Sequence, residues 1–370
     1  MKNKYWLAFS SIEQLDSKFI KRLYDYFGDI EIAYNASLKE LSEIDGLSIK
    51  KAETFIKLRT SISPNEIEET VYNKGIKYIT IDNEKYPKLL KNISDPPVVL
   101  YYKGDLEKCN LEKTLAVVGS RRASYNAKEA LDKIISELGN TDICIVSGLA
   151  AGIDTQAHLA ALNNNLKTIG VIASGLDYYY PTSNKHLYEK IEDGNGAVIS
   201  EYYPTFEPLK FRFPQRNRIV SGLCYGTLVA EASLKSGALI TANLTLDQGR
   251  ELMCIPGLIS NPNTEGIYKL LKNGATLVTN GEDILNALNW EIIKDKQLKL
   301  TMPELTNNEE KIFQALEIEE KGIDELITIT GIGVEDMLTD LTTMELKGII
   351  KQVSGDRYKK LWQRQKKKNH

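Results

Sequence analysis

Nine consecutive residues, Lys210–Arg218 (KFRFPQRNR), carry four cations (Lys210, Arg212, Arg216, Arg218), two phenylalanines (Phe211, Phe213) and no acid. Cations displace the counterions condensed on a phosphate chain. Aromatic faces give unpaired bases a surface to stack on. A duplex hides its base faces, so this interleaving points to single-stranded nucleic acid. The competing reading is a solvated loop whose phenylalanines plug a core, and the nine residues alone do not separate the two.

Other stretches repeat phosphate-type chemistry. Gly119-Ser120-Arg121-Arg122 offers a close backbone approach, a hydroxyl and guanidinium groups. Ser147-Gly148 through Gly152 to Asp154 forms a glycine-bracketed turn, with Asp154 set to cap the following helix. Gly175 precedes three consecutive tyrosines, which suit rim packing or base stacking. Ser236-Gly237 opens a helix that carries Thr241 in its second turn, and a helix start is a ready anion site. Glu201 is the carboxylate near the basic stretch and is positioned to orient an arginine. Glu231, Asp154 and His158 are the acid–base candidates, but no nucleophile stands beside any of them.

These stretches need a frame, and the hydrophobic pattern supplies one. Strand-like runs at 115–118, 143–146, 168–173, 197–200, 227–230, 252–255 and 276–278 alternate with amphipathic helical segments. Such alternation predicts an α/β fold, a mostly parallel sheet with helices on both faces. Ligands of such sheets bind at the carboxyl ends of the strands, where the Ser/Gly/cation stretches fall. The first turn is not GxGxxG, and no acid follows the second strand for a ribose hydroxyl, which disfavours a nicotinamide cofactor. A GxxxxGK[ST] loop is also missing, and the three histidines are far apart in sequence. No cofactor and no metal are therefore expected.

The chain has 370 residues, a formal net charge of −3 and a pI of about 5.9, so nucleic-acid binding must come from a local patch. Four dispersed cysteines without a CxxC pair read as free thiols in a reducing compartment. No apolar run reaches membrane-spanning length and the first residues lack a signal-peptide pattern, so a soluble, cytoplasmic protein without membrane contact is expected.

The expected domains are a helical module at 1–62, the α/β core at 63–290, a polar linker at 291–303, a C-terminal domain at 304–362 and a basic tail at 363–370. Within the first, Ile44-Asp45-Gly46-Leu47-Ser48 before a basic helix resembles a helix-hairpin-helix (or a sterile-alpha-motif-like bundle), with Ser48 where that motif has a second glycine. The C-terminal pattern of three short helices and a hairpin predicts a winged helix. Its candidate reading helix, 334–345, has four acids and no base, the wrong sign for a phosphate-lined groove.

In chain order, residues 87–288 contain PKLLKNISDPPVVLYYKG, VVGSRRAS, IVSGLAAGIDTQAH, VIASGLDYYYP, ISEY, FPQRNRIVSGL, EASLKSGALITA and IPG. This set resembles the DNA-processing protein A family (DprA, also called Smf). Asn126 departs from it, standing where the family has glycine after a tyrosine. The resemblance implies an extended Rossmann-like core flanked by the two smaller modules. It also implies binding of single-stranded DNA without strong sequence preference, loading of the RecA recombinase in recombination and natural transformation, a homodimer formed through the core, and no enzymatic activity. Carried over, Gly119, Ser120 and Arg121 take a phosphate, as does Lys210; Phe213 stacks on a base. Arg216, Asn217 and Arg218 line the same pocket, and Ser236, Gly237 and Thr241 meet the backbone. Ser147, Gly148, Gly152, Asp154 and Gly175 form supporting turns. Two other readings stay open: a nucleotide-cleaving enzyme using Glu201, Asp154 or Glu231, and a duplex-binding regulator acting through the winged helix.

Overall fold

The structure, a computed structural model, describes residues 3–139, 141–290, 305–316, 320–353 and 355–360. It forms two compact units, residues 1–293 and 294–370. The expected linker and basic tail lie outside the described residues.

A nine-stranded sheet organises the first unit. Its strands are β1 Lys77–Thr80, β2 Val99–Gly104, β3 Thr114–Val118, β4 Cys144–Ser147, β5 Thr168–Val171, β6 Gly196–Ser200, β7 Gly226–Val229, β8 Glu251–Cys254 and β9 Thr276–Leu277, in the order β1-β2-β6-β5-β4-β3-β7-β8-β9. β3 to β9 pair in parallel, while β2 joins β6 and β1 joins β2 antiparallel. The seven strands read from the sequence are the parallel seven, with ends shifted by one or two residues. The near-continuous apolar content of β3 to β8 follows from burial on both faces, while β9 is a half-exposed edge strand. β3 to β6 wind one way and β7 to β9 the other. The switch point therefore lies between β3 and β7, and the crevice forms at their carboxyl ends.

Six helices cover residues 3–73. Local chemistry sets their ends: Asp16 accepts from the Phe19 amide at 2.7 Å to start the Ser17–Phe27 helix, and Gly28 closes it at φ +68. The Phe9, Tyr34 and Phe55 rings meet at centroid distances of 5.0–6.0 Å, beside fully buried Trp6. This cluster is continuous with the sheet's core through residues such as Tyr101 and Tyr203. The expected boundary at 62/63 is thus not where the structure divides, because the apolar faces of these helices are completed by the sheet edge. At the expected helix-hairpin-helix turn, Gly46 sits at φ +71 and its carbonyl accepts from Arg22 Nη1 at 2.8 Å. Ser48 caps the Ile49–Arg59 helix.

The second unit has helices Asn307–Ala315, Ile323–Thr330 and Val334–Leu346 and a three-stranded antiparallel sheet, around Phe313, Leu326, Met337, Leu341, Ile350 and Tyr358. Glu335, Asp336 and Glu345 are exposed on the third helix.

A shared core predicts shared stability. Phe55→Ala should cost the first unit about 3–5 kcal/mol. In urea, sheet circular dichroism and Trp6 fluorescence should shift together to the same lower midpoint; separate transitions would contradict one continuous core.

Candidate nucleic-acid interface

The turn after β3 owes its shape to glycine. A Cβ on Gly119 would lie 2.5 Å from Ile153 Cγ1, so only glycine lets the chain leave the strand here. The Ser120 amide donates to the Glu231 carbonyl at 2.8 Å, and the Ser120 carbonyl accepts from the Ile153 amide at 3.1 Å. Gly152, at φ +87, is pressed against the same carbonyl, where a Cβ would come within 2.2 Å. The turns after β3, β4 and β7 are therefore locked together, and Arg121 stands exposed at their apex. Ser147 belongs to the frame, its hydroxyl donating to Val117 O at 2.6 Å.

The basic stretch is a turn, Lys210 and Phe211, followed by a helix, Arg212–Gly222. Pro214 falls in its first turn, where the missing N–H costs no hydrogen bond. Helical phase then divides the residues from Arg212 onward, and the turn before them sets Lys210 and Phe211. Lys210, Phe213, Pro214, Arg216 and Asn217 turn toward the crevice between β3 and β7. Phe211, Arg212, Gln215 and Arg218 turn the other way, toward a second crevice beside the N-terminal helices. There Arg212 is buried, paired with Glu13 and flanked by the Tyr202 and Phe206 rings at 4.8 and 5.1 Å. Arg218 pairs with Glu201 and, at 3.4 Å, with Asp95. The expectation that Arg218 shares a pocket with Lys210 is corrected: two residues beyond Arg216, it points to the opposite side of the helix. Glu201 does orient an arginine, and that arginine is Arg218.

Arg216 is fully sequestered beneath the crevice. It donates to Gly148 O at 2.6 Å and to Val171 O, and a Cβ on Gly148 would sit 2.2 Å from its Nη1. Asp154 lies beside it, accepting from the Ala150 amide at 3.4 Å; burial raises its pKa and the Arg216 charge opposes that rise. The helix Ile153–Asn163 starts at Gly152 without a side-chain cap, so Asp154 braces the turn instead of capping. Gly175 lies outside the crevice and fastens the loop after β5 to that after β6, donating to Phe206 O at 2.7 Å.

The result is a cleft of about 690 Å³ that gathers Gly119, Ser120, Arg121, Lys210, Phe213, Asn217, Ser236, Gly237 and Thr241 over the Arg216 floor. Ser236 Oγ accepts from the Ala238 amide at 3.2 Å at the start of the Ala238–Asp247 helix; Gly237 has no neighbour where a Cβ would be. Arg121, Arg122 and Lys210 are exposed cations, and the Arg121 guanidinium lies 5.4 Å from the Phe213 ring centre. Asp154 is the one carboxylate lining the cleft among the described residues. Arg122, Tyr180 and Asn263 also line it. Asn263 was missed although it lies in the segment following β8, where the strand-end rule would look. The remaining acid–base candidates are occupied. Glu231 is buried, holding the Ser124 amide at 2.9 Å and Asn261 Nδ2 at 3.1 Å. His158 is buried with Nδ1 2.7 Å from Thr168 Oγ1, and burial lowers its pKa to about 3.

Residues 77–289 match the family model of DNA recombination-mediator protein A, and residues 298–356 match that of the DprA winged helix domain. The chain belongs to the DNA recombination-mediator protein A family. Along nearly its whole length it resembles protein Smf of Synechocystis sp., at 32% identity over 96% of this chain and 98% of that protein. Among solved structures, DprA of Streptococcus pneumoniae superposes with a TM-score of 0.68 at 38% identity, covering 77% of this chain and 96% of the other. DprA of Helicobacter pylori, described for its single-stranded DNA binding mode, gives 0.52 at 31% identity, covering 58% and 96%. In this DprA-family chain, the blocks VVGSRRAS, IVSGLAAGIDTQAH, FPQRNRIVSGL and EASLKSGALITA supply residues that line the cleft.

Two tests separate frame from surface. Arg216→Ala should lower unfolding free energy by about 3–5 kcal/mol, because it strands two carbonyls and Asp154, whereas Arg121→Ala should change it by under about 0.5 kcal/mol; urea melts read both. His158 resists protonation when folded, while the unfolded chain takes a proton near pH 6.5. Its contribution is present above that pH and is lost as pH falls toward 3. The urea midpoint should drop between pH 6.5 and 5, and His158→Gln should flatten that drop.

Proposed function

We propose that this chain binds single-stranded DNA in the switch-point cleft, without strong sequence preference, and helps load RecA onto it during recombination and natural transformation. The observation that carries the reading is the juxtaposition of the Phe213 face with Arg121 and Lys210 on one cleft wall. An aromatic face accepts any base and the cations accept the phosphates on either side, a combination suited to unpaired strands. The family's description as a recombination mediator, and the single-strand binding of the H. pylori relative, support the same reading. RecA is the recombinase to which such a mediator hands its strand, and a cytoplasmic homodimer built through the core is the working form.

Among the described residues, the one carboxylate lining the cleft is buried against an arginine, which favours holding a strand over cleaving one. The exposed acids of the Val334–Leu346 helix favour the cleft over the winged helix as the DNA contact.

Fluorescence anisotropy of a labelled single strand of ~20 nucleotides against its duplex, over a salt series, tests this. Wild type should prefer the single strand, and the Lys210→Ala/Phe213→Ala double variant should lose that preference. Phe213→Ala should cost about 1–3 kcal/mol. Lys210→Ala and Arg121→Ala should each reduce the salt slope by about 0.7, one phosphate's share in a single strand. Folded Arg218→Ala should leave the slope unchanged. Equal binding of both substrates by wild type would refute the reading.

A further inference from the structure

Arg212 fastens the turn that carries Lys210. Its Nη1 donates to the Glu207 carbonyl and its backbone amide to the Leu209 carbonyl at 3.0 Å, so one residue ties down the segment from Glu207 to Phe211 from behind. The guanidinium lies 4.8, 5.1 and 5.6 Å from the centres of the Tyr202, Phe206 and Phe211 rings, and the side chain is 3% exposed. A cation enclosed in this way needs an opposing charge. Among the described residues its carboxylate partner is Glu13, which accepts from Nη2 and is itself 51% exposed. Glu13 belongs to the turn between the Asn3–Ser10 and Ser17–Phe27 helices. That turn is a firm anchor: Ile12 is buried, and Ser10 Oγ lies 2.5 Å from the hydroxyl of buried Tyr101 on β2.

We propose that Glu13 and Arg212 are positioning residues for strand binding, through which the N-terminal turn holds Lys210 at the cleft without itself meeting DNA. The inference rests on the strand-binding reading above. Lys210 is exposed and sits in the turn before the helix, so its place at the cleft depends on how that turn is fastened. A cation on a fixed turn meets a phosphate without the ordering cost that a loose turn adds. Without the Glu13 carboxylate the enclosed guanidinium is unopposed. It then turns toward water, releases the Glu207 carbonyl and frees the Lys210 turn. The N-terminal helices thereby set the strength of strand binding from the far side of the Arg212–Gly222 helix.

The sign of one substitution separates positioning from simple charge. Glu13→Ala removes an acid, which by charge alone tightens binding to a polyanion. Positioning requires the reverse. In the anisotropy titration Glu13→Ala should weaken single-strand binding roughly fivefold at low salt and reduce the salt slope by about 0.7, as Lys210→Ala does. Added to Lys210→Ala it should cost nothing further, whereas its loss and that of Arg121→Ala should add. Glu13→Gln, which keeps an acceptor at the same reach, should recover part of the affinity. Circular dichroism checks each fold; if Glu13→Ala fails to fold, Glu13→Gln decides, with a smaller loss of the same sign. Unchanged or tighter binding by a folded variant, or a loss that adds to that of Lys210→Ala, overturns the positioning role and leaves strand binding intact. Failure of wild type to bind any single strand overturns both.

Discussion

The buried Arg216 guanidinium is the contact on which the rest of the site depends. It joins the carbonyl of Gly148, just past β4, to that of Val171, at the end of β5, and lies beside Asp154. Removing a guanidinium from water is costly unless its donors are met and its charge is opposed. Here two carbonyls accept from Nη1 and the Asp154 carboxylate opposes the charge. One side chain thereby fixes the rotation of the Arg212–Gly222 helix about its axis. That rotation decides which residues of the helix reach the cleft.

The opposite side of the helix is fixed as firmly. Arg212 is held by Glu13 from the N-terminal helices and Arg218 by Glu201 and Asp95 from the core. Cations that look interchangeable in the sequence thus have different tasks. Lys210 and Arg121 remain exposed at the cleft, while three arginines of the stretch are spent on holding the helix. The N-terminal helices thus reach the helix behind the cleft through Glu13 and share the sheet's core.

Glycine does the complementary work on the sheet side. Gly119, Gly148 and Gly152 stand where any Cβ would overlap a neighbour, twice another turn and once Arg216. They let three strand ends converge at the point where the winding direction reverses. The turn after β3 brings Ser120, Arg121 and Arg122 to the cleft, the segment after β7 brings Ser233 and Ser236, and the turn after β4 adds only Gly148 and Ala150. Asp154, Glu231 and His158, the residues that could have suggested catalysis, are consumed in bracing the cleft.

Much of this was legible in the sequence. The alternation of apolar runs determined the α/β class and its seven parallel strands, because burial on both faces leaves no freedom in residue type. The strand-end rule located Gly119–Arg121 and Ser236–Thr241, because parallel winding places every such end on one edge. What only the tertiary structure decided was the fate of Lys210–Arg218. Read as a linear charge cluster, its four cations look equivalent. In the helix clamped through Arg216, successive residues separate by about 100°, so that Phe213 and Arg216 face the cleft and Arg212 and Arg218 face away, while the turn before the helix leaves Lys210 at the cleft. Sequence records which charges are present; their direction depends on buried partners as distant in the chain as Glu13 and Val171, which no local pattern encodes.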